Sequence, residues 1–117
     1  MNTNLDPREL ALLVARRADF NFQVGAVLAD RFGIFSWGWA HWGDGHHSVH
    51  AEVHAIRRAN PRRVKRATLY VAAIRRGQER LVLAAPCAAC RRAITAAGVH
   101  AVQYTSPQAV VSGWEAL

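Results

Sequence analysis

Apolar residues recur at helical spacing in 5–18, where Leu10, Leu13, Val14 and Ala18 share one side and Arg16 and Arg17 face outward, predicting an amphipathic helix. The run 22–29, with Val24, Val27 and Leu28, reads as a strand, and Asp30-Arg31-Phe32-Gly33 as a turn. A second strand follows over 34–41, so the two should form an antiparallel hairpin. Alternation puts Phe35, Trp37, Trp39 and His41 on one face of it, where most are expected in the core. Glycine and histidine crowd the loop 42–48, and a helix is expected over about 49–59, stopped by Asn60-Pro61. Residues 66–74 read as a buried strand, and 81–83 as a short apolar stretch after a turn. Pro86 opens a helix over 87–97 that Gly98 caps, and 99–105 is a strand. A last helix is expected from Ser106-Pro107, with Val110, Val111, Trp114 and Leu117 on one face.

The order α-β-β-α-β-α-β-α predicts a three-layer α/β/α sandwich with a mixed sheet, largely parallel apart from the first hairpin, in a single domain over 1–117. Two helices then begin on neighbouring crossovers, near His50 and near Cys87. In open α/β sheets such helix starts, beside the carboxyl ends of strands, are where ligands gather.

The chain has 117 residues, enough for one core, and is 51% hydrophobic and 20% charged, a composition that argues against disorder. No apolar run approaches a membrane span, and the first residues lack the layout of a signal peptide, so a soluble cytoplasmic protein is expected. Fifteen Lys and Arg against eight Asp and Glu give a formal charge of +7. Much of the excess falls between Arg57 and Arg92, where Glu79 is the one acid. Such a stretch attracts anions: a nucleotide phosphate, single-stranded nucleic acid or an acidic partner. Plain solvated arginines are the competing reading.

Two cysteines exclude a disulfide framework and suit a reducing compartment. Cys87 and Cys90 are a metal site, a redox pair or an accident. Their i, i+3 spacing at a helix start places both thiols on one face, and the positive helix end favours thiolates. His50, on the adjacent helix, adds a nitrogen. One nitrogen and two sulfurs leave a tetrahedral zinc with an open corner, the mark of a catalytic rather than structural site. Glu52 is placed to reach a water at that corner and relay its proton. His54, four residues beyond His50, lacks the carboxylate spacing of a two-histidine helix site and reads as a core or pocket-side residue. His46 and His47 read as solvated loop residues.

His50-Ala51-Glu52 and Pro86-Cys87-Ala88-Ala89-Cys90 resemble the bipartite signature of the zinc-dependent cytidine/deoxycytidylate deaminase superfamily. Phe22-Gln23-Val24-Gly25-Ala26-Val27-Leu28 is similar to the family's first core strand, and the strand through Gly38-Trp39 to its second. His50 in place of cysteine looks more like the deoxycytidylate and tRNA-adenosine branches. The resemblance covers roughly 8–105. It implies a cytidine-deaminase-like fold, zinc on His50, Cys87 and Cys90, and Glu52 as the proton shuttle. The implied activity is hydrolytic deamination of a cytosine-type base to uracil in a nucleoside or nucleotide, in a homo-oligomer. A base in single-stranded DNA or RNA is the alternative substrate, and an inactive zinc-stabilised nucleic-acid-binding module the alternative function. Many members carry an Asn just after the second strand that hydrogen-bonds the nucleoside; here Ala40 or His41 stands there, with Asn21 a nearby amide. Asn21, Trp39, His41, Ala51 and Pro86 are the expected substrate contacts, and Trp42 is a further candidate for stacking on a base.

Overall fold

The computed structural model describes residues 5–78, 80–108 and 113–117, with His46 described at the backbone only. Helix α1 (Pro7–Ala15) starts where Asp6 accepts a hydrogen bond from the Arg8 amide at 2.9 Å, with Pro7 in the first turn. Val14 and Ala18 are buried as the periodicity predicts, but Leu13 is exposed and Ala11 and Ala15 carry the contact instead. The cause is close approach: a Cβ on Gly25 would lie 2.4 Å from the Ala11 carbonyl oxygen and the Ala15 amide. Only small side chains fit between this helix and the sheet.

Strands β1 (Phe22–Asp30) and β2 (Gly33–Trp39) form the expected antiparallel hairpin, with a register shift between Leu28 and Ala29. Two short strands, β3 (His41–Trp42) and β4 (Ser48–Val49), pair with each other around the glycine-histidine loop. Helix α2 (Ala51–Arg58) therefore starts later than its apolar pattern suggests, because Val49 is claimed by β4. Asn60 caps a further short helix, α3 (Pro61–Val64), so Arg62 and Arg63 are helical rather than loop residues. Strand β5 (Thr68–Arg75), strand β6 (Leu81–Val82), helix α4 (Ala88–Ala97) and strand β7 (Ala101–Thr105) follow, and Gly98 ends α4 with φ 78°.

The expected final helix is corrected. Residues Trp114–Ala116 form strand β8, antiparallel to β7, so Trp114 and Leu117 do not share a helical face. The edge of β7 offers unpaired backbone groups that a strand satisfies and a helix does not. Val110 and Val111 lie outside the described residues.

The main sheet runs β2-β1-β5-β7-β8, with β6 on the far end of β5. It is mixed, as expected, but not largely parallel: β5 with β7 is its one parallel pair among the described strands. The crossover through α2 does bring β5 back in the direction of β2, but the hairpin's β1 lies between them and pairs antiparallel with both. Strand alternation sends Val27 and Ala72 toward α1, and Leu28, Leu69 and Val71 toward α2 and α4, giving the three layers. Among the described residues no helix is long and apolar enough to cross a membrane.

The aromatic face of β2 is a second correction. Trp37 is exposed and Phe35 and Trp39 are only partly buried, since β2 is an edge strand, and His41, also partly buried, belongs to β3 rather than to this face. Its small residues face the helix: the Ser36 hydroxyl donates to the Ala55 carbonyl at 2.6 Å, and a Cβ on Gly38 would sit 2.5 Å from the Ala55 amide. That approach presses α2 onto β2 and sets the position of the residues at its N-terminus.

Candidate functional site

His50 is the N-cap of α2 and Cys87 the N-cap of α4, yet neither side chain makes a capping hydrogen bond. Serine or aspartate would cap better locally. Instead the two side chains face each other across the gap between the helices. Nδ1 of His50 lies 3.0 Å from Sγ of Cys90 and 3.8 Å from Sγ of Cys87, and the three ligand atoms all fall within 4.8 Å of one another. Tetrahedral zinc, with bonds of about 2.0 Å to nitrogen and 2.3 Å to sulfur, sets such atoms about 3.6 Å apart, so the set fits that ion.

With no cation bound, the pocket opposes the thiolate that the helix start was expected to favour. Burial, then the charge of Glu52, then Cys87, raise the Cys90 thiol far above its ordinary value. A buried thiol beside a buried carboxylate becomes a thiolate when a cation shares its pocket. His50, Cys87 and Cys90 are thus positioned to hold a zinc ion. The two cysteines are free rather than disulfide-bonded.

Two seams bring α4 to this place. Thr105 is fully buried where β5, β6 and β7 meet; its hydroxyl donates to the Val82 carbonyl at 2.8 Å and accepts from the Ala73 amide at 3.0 Å. The Ala84 amide then donates to the Thr105 carbonyl at 2.9 Å, tying the segment that leads into Cys87 to the sheet. Pro86 is buried one residue before the N-cap, not inside the helix, and its carbonyl accepts from Arg91 Nε at 3.2 Å.

Beside the ligands opens a cavity of about 320 Å³ lined by both apolar and polar groups. Glu52, His50 and Cys87 line it together with Ala51 and Ser48, and Phe20, Phe22, Val24 and Leu83 form much of its apolar wall. Glu52 is 5% exposed. Burial, the largest effect, raises its carboxyl above the ordinary value, against smaller opposing effects of its own backbone amide, His50 and Cys90. A carboxyl so placed holds its proton more tightly than one in water.

Of the expected substrate contacts, Ala51 lines the cavity; Asn21, Trp39, His41 and Pro86 lie outside that lining. Trp39 and His41 are engaged elsewhere. The Trp39 amide donates to His54 Nδ1 at 3.1 Å, the His41 Nδ1 lies 2.7 Å from the Trp39 carbonyl, and the three rings pack with centroids 4.5–5.9 Å apart. His54 thus belongs to this ring cluster, and burial, followed by the neighbouring His41 and Arg58, lowers its pKa. Ala40 does line the cavity, at the place where an Asn was noted as missing. Sequence reasoning missed Phe20, Phe22, Val24 and Leu83 as wall residues. They read as ordinary strand and edge positions, and only their juxtaposition reveals the wall.

Comparison with known proteins adds the following. The family model described as the cytidine and deoxycytidylate deaminase zinc-binding region matches residues 1–106. The fold is similar to that of a cytidine deaminase from Burkholderia pseudomallei, with a TM-score of 0.69 at 22% identity over 95% of this chain and 88% of that one. A dCMP deaminase from the cyanophage S-TIM5 aligns with a TM-score of 0.58 at 20% identity, over 90% of this chain and 83% of that one. Acinetobacter baumannii RibD aligns at 26% identity with a TM-score of 0.56, over 92% of this chain but 29% of its own. No match was found among curated proteins.

Proposed function

The chain belongs to the cytidine and deoxycytidylate deaminase family, and from that premise we propose that it deaminates a cytosine-type base to uracil in a nucleoside or nucleotide, releasing ammonia. The observation that carries the reading is the buried Glu52 in the cavity lining with His50 and Cys87, whose ligand atoms lie within 4.8 Å of Cys90 Sγ. Zinc held by these three residues supplies the Lewis acidity that makes water nucleophilic near neutral pH.

The protein's own groups do the rest. A Glu52 carboxylate oxygen accepts a proton from the attacking water and delivers it to ring N3. The water oxygen bonds to C4 as the N3=C4 double bond opens. Glu52 then takes the remaining proton of that oxygen and passes it to the exocyclic amine while C4=O forms. The C4–N bond breaks and ammonia leaves. The raised pKa of Glu52 suits a group that must both take and give a proton. Phe20, Phe22, Val24 and Leu83 provide an apolar wall for a flat base and thin out competing water. With two free thiols side by side, the reading assigns the protein to a reducing compartment such as the cytoplasm. A Glu52→Gln protein assayed for ammonia release from cytidine, deoxycytidine and their monophosphates tests it: zinc retained with activity lost supports the reading, and undiminished turnover overturns it.

A further inference from the structure

The positive charge of this chain is concentrated in one layer. Arg57 and Arg58 end α2, Arg62 lies in α3, Lys65 and Arg66 follow it, and Arg92 stands on α4; all are exposed. Among the described residues of these three helices the one acid is Glu52, buried at the cavity. The opposite layer differs, since α1 and its flanks set Asp6, Glu9 and Asp19 among their arginines. Among the described residues, Arg63 with Asp30 is the one basic side chain in an ion pair. Among the described residues the other cations of this layer form no ion pair, and Asp44, in the depression that Arg57 lines, is the acid nearest in that lining.

A second depression, about 430 Å³, lies on this surface, behind one wall of the cavity. The two share Ser48, Val49 and His50 as a common wall, and the second is also lined by His47, Arg57 and Ala89, with Asp44 as its acid. Arg92 stands one helical turn beyond Ala89. On the other side, the cavity mouth carries Phe22, 53% exposed, and Leu83, 58% exposed. Trp42, 58% exposed, packs against the cavity residue Phe20 with ring centroids 4.9 Å apart and the planes tilted by 60°. Arg75 lies over the Phe22 ring at 5.6 Å. Among the described residues the cavity wall itself contains no Lys or Arg, so an anionic backbone would meet its cations outside.

We propose that a single-stranded nucleic acid docks across this surface, its phosphates tracking Arg57 and Arg92 and its unpaired bases stacking on Trp42 and Phe22 at the cavity mouth. Exposed cations supply the salt-dependent affinity, and exposed aromatic rings supply stacking that a duplex cannot use. A base must leave any stack to reach the buried Glu52, which selects for an unpaired strand. A second copy of this chain fits the surface less well, because like faces would bring arginines against arginines. The substrate meaning of this docking rests on the deaminase reading above; the docking itself does not.

The test is fluorescence anisotropy of labelled oligodeoxycytidylate and oligocytidylate with the zinc-loaded full chain, over a salt series, beside a duplex of equal length and light scattering for mass. The DNA and RNA arms tell which strand is preferred. Expected is binding at low salt that weakens with a log–log slope of about −0.7 per neutralised phosphate. The slope should shrink by about 1.4 in the Arg57→Ala, Arg92→Ala double variant. Trp42→Ala should weaken single-strand binding by about 5-fold to 150-fold with the slope unchanged. Glu52→Gln should bind like the wild type while releasing ammonia about 10²–10⁴-fold more slowly, which separates docking from catalysis. Absence of binding at low salt, an unchanged slope in the double variant, or duplex bound as tightly as single strand overturns the proposal. So does a change in molecular mass, rather than in affinity, on removing Arg57 and Arg92.

Discussion

Nδ1 of His50 and Sγ of Cys90 stand 3.0 Å apart although 40 positions separate them in the chain. Each sits in the first turn or cap of a different helix, so their meeting depends on how both helices dock on the sheet. Cys90→Ser should therefore lose zinc by more than the roughly 10–100-fold that removal of a second-shell partner costs. Chelation of the wild type should lower its melting temperature, and added zinc should restore it, because metal binding to the folded form alone adds to stability. Metal content by elemental analysis and thermal melts check both.

Glu52→Gln preserves shape and hydrogen bonding but cannot cycle a proton. The expected loss is about 10²–10⁴-fold in kcat, the usual worth of a positioned general acid–base, with zinc content unchanged. Steady-state ammonia release beside metal analysis measures it. Glutamine retaining wild-type turnover would leave Glu52 without the role proposed for it.

Gly38→Ala should disturb the site from a distance. A Cβ there would press within 2.5 Å of the Ala55 amide and 2.8 Å of the Ala51 carbonyl, backbone that cannot swing aside. Overpacking of this kind costs about 1–3 kcal/mol, and α2 must shift with His50 and Glu52 on it. Denaturant melts should show the lost stability, and zinc affinity should fall as well. Unaltered zinc affinity would mean that α2 is positioned by other contacts.

Asp30 accepts both arms of the Arg63 guanidinium at 2.7 Å, and this bond is the main reason its pKa lies below the ordinary carboxylate value of about 3.9. A carboxyl with a lowered folded-state pKa adds stability that is present above the unfolded value and lost as pH falls through the folded one. Acidification below about pH 4 should thus remove stability from the wild type that Asp30→Asn never had. Melting temperatures of the two proteins should converge toward low pH. A constant difference across the acid range would contradict the linkage.

How much of this was legible beforehand differs by element. The β1–β2 hairpin, β5, β7 and both ligand-bearing helices stand within a few residues of where periodicity put them, since each has a strong local pattern and clear turn signals. His50, Cys87 and Cys90 were readable as a candidate zinc set because nitrogen and thiolate ligands at helix starts suit that ion. The final segment was misread because Trp114 and Leu117 also fit a helical period, and no local signal says that the edge of β7 requires a partner. The aromatic face of β2 was misread because alternation tells which residues share a face, not whether anything covers it.

The sequence by itself determined the candidate metal set, the carboxyl proposed to carry the proton and the basic excess, because these follow from residue type and short-range spacing. Tertiary structure alone decided the rest. It turned Trp39 and His41 toward His54, assembled Phe20, Phe22, Val24 and Leu83 into one wall, and gathered the arginines of α2, α3 and α4 onto one side of the sheet. Walls and charged faces are made of residues far apart in the chain. Their proximity is set by strand order and by the close contacts at Gly25 and Gly38, which no local pattern encodes.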